Sequence, residues 1–332
     1  MQKQRHWLKG DCHLHTCNSD GRYTPEELYD MLFELGMDFA FITDHNVNTP
    51  GMKAFDHRGV AIFPGMEISG GLGHVNIWGE GLPFERISRP NTKEEYAALV
   101  EKARKAGAHI SVNHPLDRKL SWRIDLDNYK MDSVELWNSP MHTDNVYCMD
   151  WWTKKLLKGE FIPAVGGSDY HRDYAVTKLL CVPATYVYTE SNSIEDVLAA
   201  IKRGNITVTN SPSSPVLYLT AGDAVPGDRV KLSACNRVNI SLSKLKAGQT
   251  LRVYHNEKII YEKKAKKSIK DINETLTVPG EGYIRADVRF SYSGPVKLIY
   301  EKIAGGMMGM HSKGEPIPDM IYSFTNPIFF DI

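Results

Sequence analysis

Short apolar runs alternate with amphipathic stretches over the first 210 residues of the chain. The run Phe39–Ile42 follows the stretch Pro25–Leu35, in which apolar side chains recur at the three- and four-residue spacing of a helix. Thr24 before this stretch, with Glu26 and Glu27 in its first turn, indicates a helix start. Such strand–helix–strand order predicts a largely parallel sheet, in which functional side chains gather at the C-terminal ends of the strands.

The same alternation continues to residue 209. Thr92 and Glu95 form a capping box that opens one helix, and Ser193 caps another that runs to Arg203. A further helix is predicted before Lys158. The other strands that the pattern predicts are Val60–Phe63, His74–Trp78, His109–Asn113, Val134–Trp137, Ile162–Val165, Leu179–Tyr188 and Ile206–Thr209.

The pattern changes at residue 211, where the sequence Ser-Pro-Ser-Ser-Pro is typical of a linker. Beyond it the helical spacing disappears, and the runs Leu251–Tyr254, Ile259–Tyr261 and Tyr283–Val288 indicate β-strands separated by turns. We therefore predict an α/β domain over residues 1–210, followed by a small all-β sandwich over residues 211–332.

The composition excludes some classes of function. The 332 residues include 40 Lys and Arg and 40 Asp and Glu, so the chain lacks the electrostatic footprint of a nucleic-acid or anionic-membrane binder, although short oligonucleotides remain conceivable substrates. The sequence contains no apolar stretch of membrane-spanning length and no visible signal peptide. Its five cysteines are scattered, which is typical of reduced thiols, so we expect a cytoplasmic protein.

Histidines and carboxylates recur at the predicted strand ends. His13 and His15 lie two residues apart, and on a strand such residues point to the same face, so their imidazoles can converge on one cation. The other candidates follow later strands or the loop after the first one. The nine side chains that we expect to converge are His13, His15, Asp20, His45, Glu67, His74, His114, Asp169 and His171.

Some neighbouring residues receive other roles. Asp44 and His45 are adjacent and face opposite ways on a strand, so we assign His45 as the ligand and Asp44 as a residue that orients it. His109 lies on the strand face opposite His114 and is expected to be structural. His142, in the loop after a predicted strand, is a candidate substrate contact.

The candidate set has the chemistry of a metal site. Six imidazoles and three carboxylates are too polar for a packed core unless cations bind them. Nitrogen and oxygen ligands without a thiolate suit Zn²⁺, Mn²⁺ and Fe²⁺ alike. Nine ligands exceed the needs of one ion, so we expect more than one divalent metal.

The motifs together carry a resemblance. They are His13-Leu14-His15, Thr43-Asp44-His45, Glu67, His74, Asn113-His114-Pro115 and Gly167-Ser168-Asp169-Tyr170-His171. In this order they resemble the successive motifs of the PHP (polymerase and histidinol phosphatase) superfamily. The segments Gly73–Trp78, Trp122-Arg123 and Val134–Asn138 are similar to its CehA/McbA-type metallohydrolase branch, whose members often carry a trailing β-domain.

The resemblance implies a distorted (β/α)7 barrel, an α/β fold with seven strands, that binds two or three divalent ions of Zn, Mn or Fe. Glu67 would bridge the first two ions. The implied ligand sets are His13, His15, Glu67 and Asp169 for the first ion, Glu67, His74 and His114 for the second, and Asp20, His45 and His171 for the third.

The resemblance also implies phosphoester hydrolysis, in which a metal-bridging hydroxide attacks a small phosphomonoester or a nucleotide. A phosphate group needs a cationic clamp besides the metals, and the forked guanidinium of arginine is suited to it. The residues expected to act in catalysis are Glu67, Asp169, His171 and the arginines Arg118, Arg123 and Arg172.

Two alternatives are left open by the residues. The same metal site could hydrolyse a carboxyl or carbamate ester, which would need an apolar pocket that Trp78, Trp122 and Trp137 could line. Alternatively, the β-domain could bind a polysaccharide or a protein partner through a row of exposed aromatic residues, and its tyrosines are the candidates.

Overall fold

The computed structural model describes residues 5–173, 177–304, 309–312 and 314–332. The helices are α1 (Pro25–Glu34), α2 (Lys93–Lys105), α3 (Asp144–Leu157), α4 (Ile194–Arg203) and α5 (Gly294–Ile299). The strands up to residue 210 are β1 (His6–Leu14), β2 (Phe39–Ile42), β3 (Phe55–His57), β4 (Val60–Gly70), β5 (Gly73–Trp78), β6 (His109–Val112), β7 (Ser133–Asn138), β8 (Ala164–Gly167), β9 (Ala184–Thr189) and β10 (Ile206–Thr209). The later strands are β11 (Leu217–Thr220), β12 (Arg229–Lys231), β13 (Arg237–Leu245), β14 (Gln249–His255), β15 (Lys258–Lys264), β16 (Ile269–Thr277), β17 (Gly282–Phe290), β18 (Met320–Thr325) and β19 (Ile328–Asp331).

The predicted helix starts are confirmed. Thr24 accepts a hydrogen bond from the backbone of Glu27, whose side chain accepts one from the backbone of Thr24 in return. Thr92 and Glu95 form the same reciprocal pair at α2. Ser193 caps α4 with its hydroxyl.

The sheet that carries the site is mixed rather than largely parallel. Its strands run in the order β1-β2-β4-β5-β6-β7-β8. Neighbours are parallel except around β5, which is antiparallel to both β4 and β6. The prediction of a largely parallel sheet was wrong at β5 because only Gly71 and Leu72 separate β4 from β5, and so short a connection forces a hairpin.

Two predicted strand boundaries differ from the structure by five residues or more. The fourth strand was expected to end at Phe63 but continues to Gly70, which places Glu67 inside β4. The ninth was expected to start at Leu179 but starts at Ala184, directly after Pro183, a residue with no N–H to donate to a ladder.

The last strand of this series returns to the first. Leu14 and Tyr170 form an isolated parallel bridge, and the backbone N–H of His15 donates to the carbonyl of Tyr170 at 3.0 Å. Ser168 N also donates to the Asp11 carboxylate at 3.1 Å. Among the described residues, β8 and β1 share no ladder beyond these contacts. A closed seven-stranded barrel therefore stays a prediction.

The residues after 210 continue the same sheet. β10 pairs with β18, which pairs with β17. A second sheet of β11, β13 and β16 shares a buried core with β14 and β17. This two-layer arrangement is what a β-sandwich would need, and the sandwich itself and the division at residue 210 stay predictions. The expectation that this part is all-β was wrong, since α5 and the π-helical turn Tyr300–Ala304 interrupt it.

Within the described parts of the chain, the structure contains no helix with the length and apolar character needed to cross a membrane. The cytoplasmic location stays a prediction.

Candidate metal centre

The carboxylate of Glu67 is the centre of a cluster of buried histidines. Five imidazoles approach it within 4 Å, and the Glu67 side chain itself is fully buried. The distances from its carboxylate oxygens to the nearest ring nitrogen are 3.3 Å for His13, 3.8 Å for His15, 2.6 Å for His45, 3.1 Å for His74 and 3.5 Å for His114.

Asp169 faces the same histidines from the other side. Its Oδ1 lies 3.3 Å from His13 Nε2 and 3.0 Å from His15 Nε2. The rings of His13 and His15 are 5.0 Å apart. This closeness is expected for two residues that lie two positions apart on the same face at the end of β1. His13 and His15 therefore stand between the two carboxylates.

A third group lies next to His15. Asp20 Oδ1 is 3.5 Å from His45 Nε2 and 3.1 Å from His171 Nε2. The His15 ring lies 4.4 Å from the His45 ring and 4.1 Å from the His171 ring. The ligand atoms of His15, Asp20, His45 and His171 all lie within 4.8 Å of one another.

The structure thus brings together all nine predicted side chains. Most of them lie at or just past the end of a strand: His13 and His15 at β1, His45 after β2, His114 after β6, and Asp169 and His171 after β8. Glu67 and His74 instead project from the β4–β5 hairpin. Three groups of potential ligand atoms overlap here, since His15, His45 and Glu67 each belong to two of them.

Several ring nitrogens in the cluster lie beside carboxylates without forming a hydrogen bond. His13 Nε2, His15 Nε2 and His114 Nε2 are buried, and their contacts with Asp169 or Glu67 lack hydrogen-bond geometry. A buried polar atom without a partner is costly, and a divalent cation is the partner that a neutral imidazole nitrogen beside carboxylates would accept. The residues present therefore fit divalent metal ions bound through nitrogen and oxygen.

Residues around the cluster fix the orientation of the ligands. Glu135 Oε1 lies 2.8 Å from His13 Nδ1, which leaves Nε2 for the metal side. Asn113 and Ser69 donate to the two oxygens of Glu67 at 2.8 and 2.9 Å. Asn138 donates to Asp169 at 3.2 Å. Glu135 was not predicted as a site residue, although an acidic residue within the apolar run of β7 was a usable signal.

The charges of the cluster shift its ionisation. Burial alone would raise the pKa of Glu67, but His74, His13 and His45 hold that pKa well below its usual range. Burial would likewise raise the pKa of Asp169, but His13 and His15 hold that pKa well below its usual range. Burial lowers the pKa of His15 to about 4. Both carboxylates are therefore ionised and available as ligands.

Asp44 does not orient His45 as expected. Its carboxylate accepts hydrogen bonds from the backbone and hydroxyl of Thr16, both at 2.7 Å, and from the hydroxyls of Ser19 and Thr49. The His45 ring is instead held by Ser69, 2.6 Å from Nδ1. Asp44 therefore holds the loop that carries Asp20.

The three candidate arginines lie in different surroundings. Arg118 pairs with Asp144 at 2.9 Å and with Glu315 at 2.8 Å, so its guanidinium is engaged away from Glu67. Arg123 is exposed, and the described residues give its side chain no partner. Arg172 lines a cavity together with Asp169 and His171.

The three tryptophans that could have lined an apolar pocket are buried. Trp78 and Trp137 are 1% exposed, and Trp122 is 6% exposed. Trp78 packs between Phe41 and His109 in the core. His109 is buried against the hydroxyl of Ser133, which agrees with the structural role expected for it.

One solved structure is similar to this chain in fold. A crystal structure from Bacteroides vulgatus, of a two-domain protein containing a predicted PHP-like metal-dependent phosphoesterase, is similar over 85% of this chain and 90% of its own, with 17% identity and a TM-score of 0.50. At that identity the likeness shows a shared fold of mixed α/β type. No family model matches the sequence, and no curated protein matches it.

Two other solved structures are more distant. One, from Bifidobacterium adolescentis, is named as a candidate metal-dependent phosphoesterase, with 15% identity, a TM-score of 0.37 and coverage of 51% of this chain and 90% of its own. The other is an amidohydrolase from Chromobacterium violaceum, with 15% identity, a TM-score of 0.35 and coverage of 52% and 93%. Likenesses at these TM-scores carry no argument about this chain, and the CehA/McbA-type branch stays a prediction.

Proposed function

We propose that this protein is a metal-dependent phosphoesterase that hydrolyses a small phosphomonoester or a nucleotide. The observation that carries the proposal is the cluster around Glu67, in which buried imidazole nitrogens without hydrogen-bond partners face two ionised carboxylates. The ligand sets would be those given by the resemblance, with Glu67 shared between the first and the second ion.

Divalent ions held there would activate a water and stabilise the attacking and leaving oxygens of a displacement at phosphorus. The chain's own residues prepare this site. Glu135 fixes His13 so that Nε2 faces the metal side, and Asn113 and Ser69 keep the Glu67 carboxylate in one orientation. Asn138 does the same for Asp169.

Charge favours a phosphate ester over a neutral ester. Asp20, Glu67, Asp169 and Glu135, which pairs with His13, are four carboxylates, so two divalent ions balance their charge and a third makes the site net positive. A net positive site attracts a dianionic phosphate. Arg172, which lines the cavity beside His171, is the arginine that we assign to the phosphate oxygens.

The two alternatives gain no support. The tryptophans expected to line a pocket for a carboxyl or carbamate ester are buried in the core. In the C-terminal part, Tyr254 and Tyr283 are also buried, and Tyr261 and Tyr292 are only partly exposed, so they do not form the exposed aromatic row that a polysaccharide site would need.

Metal analysis combined with phosphatase assays tests the proposal. We expect two to three Zn, Mn or Fe ions per chain, and manganese-dependent hydrolysis of p-nitrophenyl phosphate or bis-p-nitrophenyl phosphate. His13→Ala should abolish turnover and lower the metal content, whereas His57→Ala, a surface histidine paired with Asp30, should change neither. A metal-loaded protein inactive on both esters but active on p-nitrophenyl acetate would replace the phosphoesterase assignment with a carboxylesterase.

A further inference from the structure

A cavity of about 460 Å³ lies beside the metal cluster. Asp169 and His171 form one side of it, and the segment after β7 forms another through His142. The remaining wall is partly apolar and includes Met141, Leu179 and, from the C-terminal part, Met310. An ester whose phosphate lies at the metals would extend its organic group into this space.

His142 in this wall is paired with a carboxylate that is fixed in place. Asp117 Oδ1 accepts hydrogen bonds from the backbone of Lys119 and Leu120 at 2.8 and 2.7 Å. Its other oxygen, Oδ2, lies 3.5 Å from His142 Nδ1, an ion-pair distance without the geometry of a hydrogen bond. Because Nδ1 faces Asp117, Nε2 is the ring nitrogen left to meet a ligand.

A second carboxylate stands near this pair. Ligand atoms of Asp117, His142 and Asp144 lie within 4.8 Å of one another, a spacing that could also suit a metal ion. Arg118 Nε lies 2.9 Å from Asp144, and the same guanidinium also pairs with Glu315. His142 is the member of this group that lines the cavity, with its Nδ1 facing Asp117.

We propose that His142, positioned by Asp117, is the general acid that protonates the leaving oxygen of the ester in this cavity. This inference rests on the proposed phosphoesterase function. The apolar wall suits the alkyl or aryl group of a phosphomonoester, which is the substrate class that the cavity would take.

In the hydrolysis step, the oxygen of water forms a bond to phosphorus, and the bond from phosphorus to the leaving oxygen breaks. The leaving oxygen keeps the electron pair and takes the proton from His142 Nε2, so an alcohol departs. A proton released from the attacking water restores the imidazolium, and one water is consumed for each ester.

The test compares two esters that differ in their need for a proton. The nitrophenolate of p-nitrophenyl phosphate leaves without protonation, whereas the alkoxide of benzyl phosphate requires it. We expect His142→Gln to lower kcat/KM by about 10²- to 10⁴-fold for benzyl phosphate and by less than about threefold for p-nitrophenyl phosphate. Asp117→Asn should show the same selectivity with a smaller loss.

The chain offers a matched control. His57 also pairs with an aspartate, Asp30 at 2.8 Å, and its side chain is 24% exposed against 22% for His142. His57→Gln should leave both rates unchanged. Equal losses on the two esters in His142→Gln would overturn the general-acid role while leaving the proposed function intact. A wild-type protein that is inactive on both would instead refute the proposed function.

A binding measurement checks the position of His142 without turnover. Phenylphosphonate, which cannot be hydrolysed, should protect His142 of the metal-loaded protein from carbethoxylation by diethyl pyrocarbonate, and peptide mass spectrometry would detect this. His57 in the same sample should react at an unchanged rate. Bound phenylphosphonate that leaves His142 as reactive as before would place the organic group outside this cavity and overturn the proposal.

Discussion

Glu135 holds two residues of the candidate metal centre by hydrogen bonds. It holds Nδ1 of His13 at 2.8 Å and also accepts from the backbone of His114 at 3.0 Å, so it contacts two ligands. We expect Glu135→Gln to weaken metal binding by about 10- to 100-fold, as measured by competition with a chelator. Glu160→Gln, which changes a carboxylate that pairs with Lys155 and with no other cation in the described part of the chain, is the control. Unchanged affinity in Glu135→Gln would mean that His13 does not need its partner.

Ionisation of the ligands predicts a pH effect in the metal-free protein. Burial alone would lower the pKa values of His114 and His171, but the carboxylates of Glu67 and Asp20 respectively raise both to about 9. Since these values lie above the ordinary 6.5, the stability that they contribute is complete below pH 6.5 and is lost as the pH rises through 9.

Calorimetry can measure this effect. The Tm of chelator-treated protein should fall between pH 6.5 and 9, and the metal-loaded protein should lose less because coordinated imidazoles are already neutral. If Tm falls by the same amount between pH 6.5 and 9 with and without metal, His114 and His171 do not give up their protons when metal binds.

Candidate metal ligands at a fixed spacing in the sequence could be predicted. Residues that act through contacts with positions far away in the sequence could not. His13 and His15 share a strand face, so sequence alone could pair them. Glu135 lies 122 positions from His13, and no local pattern joins the two. The arginines show the same limit, because the partners of Arg118 include Glu315, 197 positions away.

At the scale of elements, the loop between β1 and α1 depends on Asp44. Asp44→Asn would place an amide donor against the N–H and hydroxyl donors of Thr16, which should loosen the loop that carries Asp20. We expect about one metal ion fewer per chain, lost from the His15, Asp20, His45 and His171 group. The measurement is metal content after dialysis.

A second aspartate provides the control for this change. Asp38 precedes β2 and accepts from the backbone of Lys9 at 2.7 Å, at the strand end opposite His45. Asp38→Asn should keep the full metal content. Loss of the same ion in both variants would point to a general disturbance of β2 rather than to the Asp20 loop.

Helix starts followed from local chemistry, whereas strand direction did not. The capping residues Thr24, Thr92 and Ser193 act on backbone groups within three positions, so the sequence contains the whole signal. The direction of β5 depends on its pairing with β4 and β6, and a run of apolar residues carries no information about that pairing. This is why Glu67 and His74 could be named while their common hairpin was not foreseen.

At the scale of the whole molecule, the C-terminal part supports the site strands. β18 extends the sheet from β10, and Phe324 of β18 packs in the same core as Trp137 of β7. The linker composition at residues 211–215 signals a change in pattern, but it contains no information on hydrogen bonds that form more than a hundred positions later. A domain boundary predicted from composition therefore says little about whether the parts of the chain on its two sides are structurally independent.

Asn326 ties the C-terminal part to the strand that precedes Asp169. Its side chain accepts from the backbone N–H of Ala164 and donates to the carbonyl of the same residue, both at 2.9 Å, and both residues are fully buried. Asn326→Ala leaves two buried backbone groups of β8 unpaired, so we expect a loss of about 2–5 kcal/mol in the free energy of unfolding, measured with urea. Asn128→Ala, an exposed asparagine, should cost almost nothing. Because β8 leads directly into Asp169, metal affinity should fall together with stability in Asn326→Ala. Lost stability with unchanged metal affinity would show that the C-terminal part supports the fold without shaping the metal centre.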